Sequence, residues 1–212
     1  MVEEQIHFSK QDSSISDKIF EKARSLFFSA GVRNTTMDDI AKELGISKKT
    51  LYKEFETKAD LVRFCVEHEL KQSEETFQSI SKKTTNAIEE LLQIAAHNKE
   101  ELQQFHTSIM HDLMKHFQDS WMLIEQHRDV FAKKFIVHNL QNGIKQGLYR
   151  KDLNIDIVTL LHLHLSFFPL QYDGKGYPIS EIYFEVMRYN LYAIATPKGI
   201  EQFEQLIKKI KL

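Results

Sequence analysis

Cysteine is all but missing: Cys65 stands alone in 212 residues. That excludes an internal disulfide framework and any zinc site built from several thiolates, and it points to a reducing compartment, the cytoplasm. Proline (3) and glycine (7) are scarce as well, so few positions force a helix to end and long uninterrupted helices are expected. There is no run apolar enough to cross a bilayer. The most apolar window, 157–170, is interrupted by His162 and His164 and falls short of the roughly 20 residues a membrane helix needs. Residues 1–14 lack the apolar stretch of a secretory signal. Nor is there an excess of positive charge: 28 Lys and Arg face 30 Asp and Glu, for a net charge of −2. A nucleic-acid site would therefore have to be a local patch rather than a global field.

The signatures of several enzyme classes are missing too. The chain has no Gly-x-Gly-x-x-Gly, no Gly-Lys-Ser/Thr, no Gly-x-Ser-x-Gly and no His-Glu-x-x-His. His106, His111 and His116 are five apart, whereas side chains share a helix face at spacings of three and four. No catalytic residue, cofactor or metal site is expected, and the chain is read as not an enzyme.

What is present is helical periodicity. Ile15, Ile19, Ala23, Leu26, Phe27 and Ala30 recur on one face and Gly31 stops the run, with Ser16 as the expected cap. Short helices follow over 36–44 and from Ser47 to about Phe55. Thr57 is expected to cap a fourth helix over 58–73. Longer helices are expected over 85–96, 99–117, 119–146 with a break near Arg128, 155–170, 179–195 and 198–211. Pro169 and the 173–178 segment read as a loop.

The informative stretch is 35–55, TTMDDIAKELGISKKTLYKEF. Ala41 is small where two helices would approach closely, and Gly45 permits a left-handed turn. Ile40, Leu44, Ile46 and Leu51 form an apolar seam. This is the pattern of a helix-turn-helix, whose second helix enters the major groove. That second helix carries Lys48, Lys49, Thr50, Tyr52 and Lys53: cations that neutralise phosphates and hydroxyls that reach phosphates or base edges. Thr36 and Lys58 sit at helix starts, where backbone N–H groups favour anions.

Residues 16–62 resemble the N-terminal domain of the TetR family of transcriptional regulators. The resemblance rests on Ser29–Ala30–Gly31, Thr35–Thr36, Asp39–Ile40–Ala41, Leu44–Gly45–Ile46–Ser47, Thr50–Leu51–Tyr52, Phe55, Lys58 and Leu61. It implies phosphate contacts from Thr36, Thr50, Tyr52 and Lys58, with Lys48, Lys49 and Lys53 facing bases or backbone. Two positions depart from the pattern. Lys49 replaces a usually small residue, and Glu54 stands where an aromatic residue or histidine is common, a place where a carboxylate would repel phosphate.

The C-terminal half matches more weakly, at 142–152 and 195–199. The resemblance implies an all-α fold: a flexible tail (1–14), a three-helix helix-turn-helix DNA-binding domain (15–60) and a helical ligand-binding and dimerisation domain (61–212). It further implies a homodimer that binds a palindromic double-stranded operator, as a repressor released by a small apolar or amphipathic effector that shifts the helix beginning at Lys58. Candidate pocket residues are Phe64, His68, Phe105, His111 and Trp121. Candidate dimer residues are Leu161, Leu165, Phe168, Tyr183 and Met187. The competing reading is a helical ligand-binding or interaction protein of the same fold that does not bind DNA.

Overall fold

The computed structural model describes residues 14–103, 106, 108–172 and 176–210; nearly all of the expected tail, and Phe105, lie outside them. The N-terminal head comprises α1 (Ile15–Ala30), α2 (Met37–Leu44) and α3 (Lys48–Glu54). The body comprises α4 (Lys58–Lys83), α5 (Ala87–Leu102), α6 (Ile109–His116), α7 (Gln118–His127), α8 (Lys133–Lys145), α9 (Ile155–Gln171), α10 (Ile179–Ile194) and α11 (Pro197–Ile210). Among the described residues the only β pairing is an isolated bridge between Tyr149 and Ala195.

Local chemistry sets the helix starts in the head. Ser14, Thr36 and Thr57 each cap a helix reciprocally with an aspartate three residues on, Asp17, Asp39 and Asp60. Each pair satisfies two backbone donors that a helix start leaves orphaned. The cap of α1 is thus Ser14, and Ser16, expected in that role, lies two residues further on in the first turn and donates to Glu54 instead, at 3.3 Å. Gly45 ends α2 in the left-handed region (φ 66°, ψ 26°), and the chain turns sharply into α3 with Ile46 N–H donating to the Ala41 carbonyl. That backbone conformation disfavours residues with a Cβ.

Two apolar clusters organise the molecule. The first joins the head to the near end of the body: Ile19, Phe20, Phe27, Ile40 and Leu51 pack with Leu61, Val62 and Cys65 of α4, Ile109 and Leu113 of α6, and Ile124 of α7. The second lies at the far end, where Ile88, Leu92, Leu140, Leu163, Leu191 and Phe203 bring α5, α8, α9, α10 and α11 together. A buried polar network runs through it. Asn139 donates to Glu90 at 2.6 Å and to the Ala87 carbonyl at 2.9 Å, while Tyr149 Oη donates to Asn139 at 3.1 Å. Burial pushes the Tyr149 phenol up, so it stays a neutral donor.

Several helix limits differ from the sequence expectation. α4 runs ten residues beyond Ser73 to Lys83, because Phe77 and Ile80 extend its half-buried face and no helix breaker precedes Thr84. The helix expected over 99–117 is two: α5 ends at Leu102 and α6 begins at Ile109. The break expected near Arg128 is a π-helical turn, Arg128–Ala132, joining α7 to α8 without a loop. Pro169 lies inside the last turn of α9 rather than in the loop after it.

Candidate nucleic-acid interface

α3 is built to face outward. Leu51 is wholly buried and fixes the helix on the head. Residues 48, 49, 50, 52 and 53 are all exposed, with Tyr52 exposing 46 % of its surface. Seven residues make about two turns, so one buried anchor leaves most of the helix free to enter a groove.

The expected contact residues differ in how free they are. Among the described residues Lys49 and Lys53 make no salt bridge, and Tyr52 projects beside them. Lys48 is held: its ammonium lies 2.5 Å from Asp38 Oδ2 on α2, and that hydrogen bond and charge hold it above its ordinary pKa. Thr50 shares its hydroxyl with the Ser47 cap at 2.8 Å. The Thr36 hydroxyl donates to Asp39 at 2.6 Å and accepts from the Asp39 N–H at 3.1 Å, so its observed role is to start α2. The hydrogen bonds that the Thr36 hydroxyl and the Thr36 backbone N–H donate to the Asp39 carboxylate keep it below the usual carboxylate range.

Lys58 points inward more than the phosphate role implies. Its ammonium donates to the Arg33 carbonyl at 3.1 Å and sits 5.8 Å from the centre of the Phe117 ring. Partial burial lowers its pKa, opposed by Asp112 and Asp39. Glu54, the departure that suggested repulsion, is turned toward Ser16 on α1.

A second tie joins head to body. Arg24 of α1 donates to Glu69 of α4 at 2.5 Å and to Glu101 of α5, and its guanidinium lies 4.5 Å from the centre of the Phe28 ring. Burial pushes the Glu69 carboxyl up, opposed by Arg24. Neither this tie nor the Asp38–Lys48 pair is visible as a spacing in the sequence: the partners are 45 and 10 positions apart and meet only through the fold.

Of the expected pocket residues among those described, three gather at the head-to-body cluster and His111 lies apart. Phe64 and His68 pack with Phe20, the His68 ring 4.3 Å from Phe64 and 4.9 Å from Phe20, inside the head-to-body cluster. Trp121 is half-buried against the same cluster. His111 faces solvent, because α6 buries Ile109, Asp112 and Leu113 and position 111 falls on the opposite side. A different aromatic group lies between α4 and the π-turn. Phe77 stands 6.2 Å from Phe131 and 5.5 Å from Phe135, and His127 stacks on Phe131 at 5.0 Å. His127 Nε2 is 3.4 Å from Glu74 in a geometry that makes no hydrogen bond, and burial lowers its pKa.

Of the expected dimer residues, Leu161 and Phe168 are exposed on α9 (54 % and 49 %) and Leu165 is half-buried. Tyr183 and Met187 are buried inside the protomer instead. Asn98 of α5 donates to Tyr183 Oη at 2.7 Å, and Met187 belongs to the far-end core. The outward face of α10 is carried by Ile182, Val186 and Tyr189 instead.

Comparison with known proteins agrees with this geometry. Residues 19–64 match the family model of bacterial regulatory proteins, tetR family. The HTH-type transcriptional repressor KstR2 of Mycolicibacterium smegmatis is 26% identical over 174 residues, 80% of this chain and 84% of that protein. Among solved structures, the ketosteroid transcriptional regulator KstR2 of Mycobacterium tuberculosis superposes with a TM-score of 0.62 at 23% identity, covering 88% of this chain and 97% of that one. A TetR-family regulator from Agrobacterium tumefaciens gives 0.72 at 16% identity, covering 85% and 97%; both likenesses speak to the fold. An all-α chain with an outward helix-turn-helix at its N-terminus defines a DNA-binding regulator. Over residues 19–64 the chain is similar to the TetR family of transcriptional regulators, and KstR2, which it resembles over most of its length, is a transcriptional repressor.

Proposed function

We propose that the protein is a repressor that binds a palindromic operator as a homodimer and releases it when a small apolar or amphipathic effector occupies the body. The observation that carries the DNA half of this reading is α3 itself, anchored by a buried Leu51 while Lys49, Tyr52 and Lys53 stand free. A helix that served only as core packing would bury more than one of its seven residues.

The homodimer is supported by an uncovered apolar stripe. Ile157, Leu160, Leu161 and Phe168 of α9 are each about half exposed or more, and Tyr189 of α10 exposes 70 %. On α9 these lie three, four and eleven residues from Ile157, a single face. Contiguous apolar surface of this kind marks an interface, and a two-fold pair would set two copies of α3 on successive turns of a palindrome. The effector half is supported by the Phe77, His127, Phe131 and Phe135 group beside the π-turn, since such turns recur at functional sites and pockets combine apolar walls with a few polar anchors. No helix of the described residues is long and apolar enough to cross a membrane, in keeping with a role on cytoplasmic DNA.

Fluorescence anisotropy with DNA from upstream of the protein's own gene tests the reading. A sequence-selective complex is expected that weakens steeply between 50 and 200 mM salt, as phosphate counterions return. The double variant Lys49→Ala, Lys53→Ala is expected to bind at least about tenfold more weakly with an unchanged melting temperature. Binding that ignores both sequence and these lysines would refute it.

A further inference from the structure

Asp112 sits on the inner face of α6, 5 % exposed. Its Oδ2 accepts a hydrogen bond at 3.0 Å from the backbone N–H of Arg33, in the connector between α1 and α2, 79 positions away. The Ser108 hydroxyl donates to the same oxygen at 3.2 Å and lies 3.0 Å from His106 Nδ1. The junction is tight: a methyl group on Gly31 would stand 2.5 Å from Ser108 Oγ.

On its other side the same connector is gripped by α4, through the bond from the Lys58 ammonium to the Arg33 carbonyl. One residue of the connector thus has both backbone groups bound by charged side chains from the body, the N–H by a carboxylate and the C=O by an ammonium. Hydrogen bonds to charged groups are the strong ones, and a buried carboxylate is costly unless its partners are fixed in place. A connector held in this way cannot turn independently of the body, and it leads directly into the Thr36 cap of α2.

We propose that Asp112 is the positioning residue that sets the orientation of the head on the body by fixing the Arg33 connector. Its effect on the operator rests on the DNA-binding reading above; its effect on the connector does not. Lys58 is the second grip, so any operator phosphate that draws on this ammonium does so in competition with the Arg33 carbonyl.

The test uses the full chain and two readouts, amide hydrogen exchange at Arg33 and operator affinity, in Asp112→Ala, Asp112→Leu and Asp112→Asn. Alanine removes the acceptor, leucine removes it while refilling the space, and asparagine keeps a carbonyl oxygen. In the alanine and leucine variants the Arg33 amide is expected to exchange at least about tenfold faster, while the Leu51 amide keeps its protection because α3 remains folded. Asparagine is expected to restore most of the Arg33 protection. Operator affinity is expected to follow the same order, falling about tenfold in the variants without an acceptor. Unchanged exchange at Arg33 in both the alanine and leucine variants overturns the proposal, as does equal loosening in all three. If the wild type binds no DNA selectively, the operator reading fails, yet exchange at Arg33 still decides whether Asp112 holds the connector. If the alanine variant does not fold, the leucine and asparagine pair carries the comparison.

Discussion

His162 is the residue with the clearest solution signature. It is buried on the inner side of α9, where it shares a small cavity with Leu91, Leu92 and Ala95 of α5 and Met187 and Leu191 of α10, and burial pulls its pKa down to about 4. The folded state therefore keeps the ring neutral while the unfolded chain binds a proton near pH 6.5. Because the folded pKa lies below the unfolded one, full stability is present above about pH 6.5 and is lost as the pH falls toward 4. The loss is on the order of 3 kcal/mol at pH 4. His127, also lowered by burial, adds in the same direction. Denaturant melts between pH 7 and pH 4 should show this slope, and His162→Phe should flatten it; an unaltered slope in that variant would assign the acid sensitivity elsewhere. At this scale the reading head was legible and the ties around it were not. The identities of Gly45, Leu51, Lys49 and Lys53 follow from a dense local pattern. The engagement of Lys48 by Asp38 and of Lys58 by Arg33 depends on how two helices and a connector meet, and single-chain spacing does not encode that.

At the scale of elements, the caps govern how the head is framed. Thr57 closes the start of α4 with Asp60, accepting from the Asp60 N–H at 3.1 Å and donating to its carboxylate at 2.7 Å. Thr57→Ala should cost about 1 kcal/mol, read as a lowered melting temperature, and Thr57→Ser should recover most of it. A melt unaffected by the alanine would mean that packing alone starts this helix. These short, capped helices were readable because hydroxyl, acid and glycine signals lie within a few residues of each other. The long helices were less so. The length of α4 is decided by Phe77 and Ile80 meeting the rest of the body, and the π-turn at Arg128–Ala132 adds a residue to a helical turn without any proline or glycine to announce it. The same weakness applies to the two sides of α10. Helical period identifies two apolar faces there, and only packing shows that Tyr183 and Met187 turn inward while Tyr189 turns out.

For the whole molecule, the exposed stripe on α9 makes assembly and DNA binding inseparable in the proposed reading. Leu161→Asp should leave the helical content of the chain intact, because Leu161 is already 54 % exposed in the protomer. It should nevertheless shift the sedimentation coefficient from dimer to monomer and weaken operator binding by more than tenfold, since a half-site alone forfeits the second set of contacts. A variant that stays dimeric would move the interface off this face. The near-neutral total charge, −2, fits a molecule whose affinity for DNA is confined to one local surface.

The first apolar cluster does not stop where the head does. Leu61, Val62 and Cys65 follow residue 60 on the unbroken α4, and Ile109, Leu113 and Ile124 come from farther still, yet all share one interior with Phe20, Ile40 and Leu51. A cut after residue 60 would pass through a helix and strip one wall from that interior. Grafting this head onto a foreign scaffold would therefore demand that the recipient supply matching surfaces from three helices. In the proposed reading, specificity for an operator is therefore not portable as a cassette; it travels with the shape of the partner that completes its core.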